Sequence, residues 1–269
     1  MYPIIDCHCH IYPEKIAAKA SESIGKFYDI PMKYVGTAAQ MIKMSREAGI
    51  THSVIFSVAT KPAQVKSINE FIARETVELP NLVGLGAVHP ESEDQNGDIE
   101  HLISLGLKGV KLHPDIQGYN IDDPRCMKIY ELCRERGLTV LLHMGDPRYD
   151  FSSPDRLITV LERFDGLKVI GAHFGGWGVW KYATERLKGY AGLYVDCSSS
   201  MPFMSAEEAR DIVRAYGAER VLFGSDYPMW DFKDELERFS ALGLSEEENR
   251  LILYKNAAKL FDIELGAEL

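Results

Sequence analysis

Of the eight histidines in this 269-residue chain, five (His10, His89, His113, His143 and His173) fall at the ends of short apolar or β-branched runs. His8 precedes His10 by two residues, and Asp226 closes another such run in GSDYP. Imidazole fills apolar space worse than Val or Leu, so packing gives no reason for histidines to recur at these places. Imidazole and carboxylate are the donors that bind zinc, with manganese, iron or nickel as alternatives. They are also the groups that move protons near neutral pH. The chemistry indicated is therefore metal-assisted, with proton transfer beside the metal.

The opening IIDCHCH sharpens this. Side chains alternate faces along a strand, so Asp6, His8 and His10 are expected on one face and Cys7 and Cys9 on the other. The mixed Cys/His string is thus not expected to form a zinc knot. The thiols point toward a helix layer as small hydrophobes, and the two imidazoles can hold one ion from one side.

Such convergence needs an architecture that gathers strand ends. Apolar runs at 4–10, 53–58, 82–89, 109–113, 139–143, 168–173, 193–197 and 221–226 alternate with helical spacing at 62–79, 124–136, 154–164 and 206–216. This beat predicts βαβ units and a parallel sheet. Eight strands in about 250 residues predict an α/β fold of the (β/α)8 TIM-barrel type, one domain over residues 1–269. A doubly wound nucleotide fold is disfavoured, because no G-x-G-x-x-G follows any strand. In a closed barrel the eighth strand lies beside the first, so Asp226 becomes a neighbour of His8 and His10. Residues 11–51 are too long for an ordinary connection. Helices are predicted over 14–24 and 41–48, with a loop at 27–31, as an insertion at the barrel mouth serving as a lid or as a contact in a homo-oligomer. His52 opens a strand at the opposite end, and His101 lies in a helix; neither is expected in the site.

Composition bounds the rest. Hydrophobic residues are 46% and charged residues 26%, as in a globular chain. Thirty basic against 40 acidic residues give a net charge of −10, and no basic stripe suggests nucleic acid. No apolar run is long enough for a membrane span, and the N-terminus lacks the basic start of a signal peptide. Five cysteines do not suggest a disulfide framework, so a reducing, cytoplasmic location is expected. The expected partner is a small-molecule substrate.

Lys111 and His113 share a face in GVKLHP. Lys111 should lie one layer below the mouth, as a substrate anchor, as a carbamylated lysine between two metals, or as a core lysine paired with Asp6, Asp196 or Asp226. In the loops, Arg148 of GDPRYD is the candidate to clamp a substrate carboxylate. Tyr149, and Trp177 and Trp180 beyond His173, are candidates to wall a cyclic substrate, with packing on neighbouring loop residues as the alternative.

IIDCHCH, GVKLHP, LLHMG, GAHFGG and GSDYP, with the closing NAAKLFDI, together resemble the amidohydrolase superfamily. The likeness is to the amidohydrolase-related branch that includes aminocarboxymuconate-semialdehyde and resorcylate decarboxylases, and it spans nearly the whole chain. It implies His8, His10, His143 and Asp226 as metal ligands, His173 as the residue acting on substrate or water, and Lys111 near a residue that bridges two metals in binuclear relatives. One ion is expected, though a second has precedent there. A zinc so held would lower the pKa of a bound water to about 7, with Asp226 as its base and His173 polarising a carbonyl. That chemistry fits hydrolysis of an amide, lactone or other ester of a carboxylate-bearing substrate. The chain is shorter than the branch's decarboxylases, so hydrolysis is placed first. The alternative is a non-oxidative decarboxylase or hydratase of an aromatic or unsaturated acid. An inactive ligand-binding barrel comes last, since it would gain nothing from an open metal position.

Overall fold

The structure, a computed structural model, describes residues 2–77 and 79–265. Among these, the chain runs β1 (Ile5–His10), α1 (Glu14–Tyr28), α2 (Ala38–Glu47), β2 (His52–Phe56), α3 (Val65–Val77), β3 (Leu82–Gly84) and β4 (Gly86–Ala87). It continues through α4 (Gln95–Ser104), β5 (Gly109–Leu112), α5 (Pro114–Gln117), α6 (Pro124–Glu135), β6 (Thr139–Leu142), α7 (Pro154–Arg163), β7 (Lys168–Gly171) and α8 (Trp180–Leu187). It ends with β8 (Leu193–Asp196), α9 (Ala206–Tyr216), β9 (Val221–Leu222), α10 (Phe232–Ser240), α11 (Glu246–Arg250) and α12 (Asn256–Phe261).

All strand pairs are parallel, in the order β1-β2-β3 and β4 through β9. The two runs join into one (β/α)8 barrel. β3 and β4 are a single barrel strand interrupted at Leu85, whose N–H turns to Ile55 O at 2.9 Å. The last strand meets the first through Cys7 N–H to Phe223 O at 2.9 Å and His10 N–H to Tyr227 O at 2.7 Å. Alternate residues Val54, Phe56, Leu85, Leu141, Ile170 and Leu222 fill the interior, closed at one end by Tyr254, Ala257, Leu260 and Phe261. Their neighbours Ile55, Val140, Leu142, Val169 and Phe223 pack outward against the helices.

Two expectations about elements change. The helix expected over 62–79 is a 3-10 turn, Pro62–Gln64, followed by α3, with Glu78 outside the described residues. The first insertion helix does not stop at 24. It runs on through Phe27 and Tyr28 until Asp29 turns left-handed at φ 55° and returns its N–H to Gly25 O. The predicted loop therefore begins with a helical turn, and that turn carries Tyr28 to the barrel mouth.

The interrupted strand leaves backbone groups of Ala87 facing α3 instead of another strand. Asn69, fully buried on α3, replaces the ladder: its Nδ2 donates to Ala87 O at 3.1 Å and its Oδ1 accepts from Ala87 N at 2.7 Å. Asn69→Ala should strand both groups in the interior and cost about 2–4 kcal/mol. Urea unfolding should show a lower midpoint at an unchanged slope; an unchanged midpoint would mean that water or another side chain takes over.

Candidate metal centre

The first strand departs from simple alternation. Asp6 pairs with Ser53, but Cys9 pairs with Ile55, so three steps on β1 match two on β2. This one-residue bulge re-aims the strand. Asp6 holds it, its Oδ1 accepting from His8 N–H at 2.9 Å and from Ser225 N–H at 3.1 Å. His8 and His10 share the mouth face as expected, but Asp6 does not join them. Cys7 packs inside the barrel with Leu222 and Leu85, and Cys9 packs outside, so the expectation that both thiols face the helices is corrected for Cys7. Cys7, Cys9 and the other three cysteines are buried and free.

His8, His10 and Asp226 converge. Asp226 Oδ1 lies 3.4 Å from His8 Nε2 and 3.5 Å from His10 Nε2. A tetrahedral ion with bonds of about 2.0–2.1 Å has ligand–ligand edges of about 3.3–3.4 Å, so the two edges to Asp226 have the length such an ion needs. The donor state fits as well. His8 Nδ1–H donates to buried Asp196 Oδ2 at 2.9 Å, which leaves the Nε2 lone pair facing Asp226. Burial, helped by the Lys111 charge, holds both His8 and His10 well below the usual imidazole pKa, hence neutral and able to ligate. Asp226 Oδ2 accepts from Ser199 O–H at 2.5 Å. Asp226, His173 and Ser199 have φ of 62°, 59° and 47°, a clustering of backbone strain typical of functional sites.

His143 stands apart from that triad. Its ring stacks on His113 at 3.9 Å, Nε2 lies 3.3 Å from Tyr28 Oη and 3.5 Å from Asp115 Oδ2, and Nδ1 lies 3.0 Å from His173 Nε2. The expected four-residue cluster thus appears as three residues plus a histidine engaged elsewhere. The partners fix a consistent set of tautomers. His113 Nδ1 accepts from Ile116 N–H at 3.4 Å, so its Nε2–H points to Tyr28 Oη at 2.9 Å. Tyr28 donates to His143 Nε2, His143 Nδ1–H to His173 Nε2, and His173 Nδ1–H to Ser198 O at 3.0 Å. Burial lowers the pKa of His143 and His113 well below normal and that of His173 to about 4.

Lys111 is fully buried and lines no part of the cavity, so the substrate-anchor reading is corrected. Its Nζ sits 3.3 Å from His8 Nε2 and 5.0 Å from the centre of the Phe56 ring. No carboxylate among the described residues pairs with it within ion-pair distance. Burial depresses it to about 7, against the pull of Asp196 and Asp226.

The mouth opens into a cavity of about 600 Å³. His10, His113, His143, His173 and Asp226 form its polar floor, and Ile16, Ile24, Tyr28 and Phe71 of the helices form part of an apolar wall with Trp177. Trp177 is where the sequence placed it. Arg148 and Tyr149 are not. Arg148 Nε and Nη2 grip Asp146 at 2.9 and 2.6 Å, so its fork is not available to a substrate. Tyr149 stacks on Phe27, outside the cavity. Trp180 also leaves the site, stacking on Phe203 and donating to Ser200. His89 lies two residues beyond β4, where its Nδ1 accepts from Glu91 N–H, and it is not in the cavity wall. Tyr28, Asp115, Asp196 and Ser198 were missed as site residues. Asp196 alone carried a signal, as a carboxylate at a strand end.

With this geometry in view, comparison with known proteins is decisive for family. A family model described as amidohydrolase matches residues 5–263, and the chain belongs to that family. It is 25% identical over 223 residues to a 2-amino-3-carboxymuconate-6-semialdehyde decarboxylase of Dictyostelium discoideum, covering 66% of this chain and 61% of the relative. The chain therefore spans about three-fifths of that curated relative. Among solved structures, it is similar to a dihydroxybenzoic acid decarboxylase from Polaromonas sp. JS666 with bound manganese and 2-nitroresorcinol (TM-score 0.76, 15% identity, 99% and 98% of the two chains covered). It is also similar to a candidate 2-pyrone-4,6-dicarboxylic acid hydrolase from Pseudomonas putida (TM-score 0.70, 24% identity, 99% and 100% covered). At these identities the structural likenesses establish the barrel fold.

Gly224 of GSDYP offers a test of the centre. A Cβ there would lie 2.9 Å from His8 Cβ and 3.3 Å from Ser198 Cβ. Gly224→Ala should push His8 off its Asp196 support and lower zinc affinity about 10–100-fold, with far-UV dichroism unchanged. Competition titration against a chromophoric chelator measures it; wild-type affinity would show that His8 is not a ligand.

Proposed function

We propose that this protein is a metal-dependent decarboxylase of a small aromatic or unsaturated carboxylic acid. The observation that carries the reading is the apolar, aromatic-walled cavity that ends on His10 and Asp226, with His8 grouped beside them. The curated decarboxylase relative and the dihydroxybenzoic acid decarboxylase of like fold support it over the hydrolysis that the sequence placed first. Hydrolysis of a lactone or ester is the second reading, favoured by Asp226 at the position of a water base and by the Pseudomonas neighbour.

One ion is proposed, zinc or manganese, held by His8, His10 and Asp226. His143 is proposed as the fourth ligand after it exchanges its Tyr28 contact for the ion. When bound, the ion would supply a Lewis acid for a substrate oxygen. The chain's own residues account for the rest. The apolar wall excludes water from the substrate carboxylate, which is worse solvated there than neutral carbon dioxide, and this favours its loss. The carbon–carbon bond breaks, its electron pair stays on the substrate carbon, and a proton must reach that carbon. His173 lines the cavity and, with a pKa of about 4, is neutral at pH 7. Once His143 turns to the ion and withdraws its Nδ1–H, the freed His173 Nε2 takes a proton from a substrate hydroxyl or water and then delivers it to the carbon. The five free cysteines agree with a reducing, cytoplasmic location, and no described helix is long and apolar enough to cross a membrane.

The test is release of labelled carbon dioxide from carboxyl-¹³C aromatic and unsaturated acids, run beside a panel of lactones and esters. Metal-dependent release, abolished by chelation, is expected. Asp226→Asn keeps an oxygen donor but loses the charge and the basicity, so kcat should fall about 10²–10⁴-fold with less loss of metal than in His8→Ala. Turnover of lactones alone would overturn decarboxylation in favour of hydrolysis.

A further inference from the structure

The last turn of α1 is fastened to the barrel by a clip that no catalytic role explains. Arg148 grips buried Asp146 with two hydrogen bonds, and its Nη1 donates to Phe27 O at 2.5 Å. Its guanidinium also lies over the rings of Phe27 and Tyr28, at 4.8 and 5.5 Å. Phe27 O is one of the carbonyls that a helix end leaves without an internal partner, and a cation there also suits the helix dipole. What the clip positions is Tyr28. Its ring meets Trp177 edge-on at 5.3 Å, and its hydroxyl reaches the cavity floor beside His113.

Tyr28 O–H and His113 Nε2–H are 2.9 Å apart, and both residues line the cavity. The acceptor of the tyrosine proton, His143 Nε2, is 3.3 Å away. If His143 turns to the ion, that proton loses its acceptor while still facing the cavity. The His113 proton stays directed at Tyr28 Oη and fixes the direction of the hydroxyl, so a ligand oxygen placed there meets the Tyr28 donor. The pair is separated from the metal triad by the rings of His143 and His173, with successive ring spacings of 3.9, 4.8 and 5.2 Å from His113 to His8.

We propose that Tyr28 is a substrate-recognition residue delivered by α1 and that, oriented by His113, it donates to a second oxygen substituent, hydroxyl or carboxylate, on the substrate ring. Arg148 is its positioning residue and touches no substrate. The recognition role rests on the aromatic-acid reading above.

Binding without turnover tests it. Calorimetry on zinc-loaded protein compares benzoate with its 2-, 3- and 4-hydroxy derivatives and with the benzene dicarboxylates. Wild type should bind at least one oxygen-bearing acid about tenfold more tightly than benzoate. Tyr28→Phe, which keeps the ring against Trp177, should erase that preference and leave benzoate affinity within about twofold. Arg148→Ala should erase it too, and backbone amides at 24–30 should exchange at least about tenfold faster by hydrogen–deuterium exchange. Retention of the preference in either variant overturns the proposal. Failure of wild type to bind any aromatic acid overturns the aromatic-acid reading and the recognition role with it. Unchanged exchange in Arg148→Ala overturns the clip alone, whatever the ligand.

Discussion

The site depends on one slipped residue in the first strand. Without the bulge between Asp6 and Cys9, strict alternation would set His8 and His10 on the same face as Asp6 and opposite Ile5. The barrel interior wants Ile5 and Cys7 at its closed end and two imidazoles at its mouth, and a regular strand cannot supply both. Asp6 makes the slip affordable by taking the N–H groups of His8 and Ser225 onto one oxygen. The same contact stitches the first strand to the segment after the last, so barrel closure and the aim of His8 are fixed by one carboxylate. Its other oxygen is buried without a partner, and burial raises Asp6 to about 6.

Around that constraint, burial sets the chemistry. His8, His10, His113, His143 and His173 all have pKa values depressed by removal from water, so the floor and the His8 ring beneath it are a bank of neutral donors and acceptors at pH 7. Neutral imidazoles can ligate a metal or relay a proton, and their charge does not oppose a cation. The helices of the wall keep water away, and the insertion after β1 contributes both apolar surface and the Tyr28 hydroxyl. A decarboxylase gains from both features: a dry pocket for a carboxylate about to become neutral, and a proton-handling group beside it.

Much of this was legible in the sequence, for physical reasons. Strand ends of a closed barrel meet at one mouth, so His8, His10 and Asp226 could be brought together from spacing alone, and Trp177 followed from its place in a βα loop. The bulge could not be read, because a one-residue slip leaves no trace in an apolar pattern. Tyr28 was hidden because residues 27–31 read as a loop, whereas the helix runs on to Asp29. Arg148 misled because a free guanidinium in a loop reads as a carboxylate clamp; the carboxylate it clamps is its neighbour two residues away, Asp146. His143 and Lys111 depend on side-chain contacts made across the barrel, which sequence spacing does not encode.

The central claim is that the slipped first strand presents imidazoles, and no thiols, to a metal. X-ray absorption at the zinc edge of the zinc-loaded protein measures this directly. The account predicts a first shell of nitrogen and oxygen at about 2.0–2.1 Å, with imidazole outer-shell scattering and no sulfur. A sulfur neighbour at about 2.3 Å would contradict it, because Cys7 or Cys9 would then have to face the mouth and the strand register described here would be wrong.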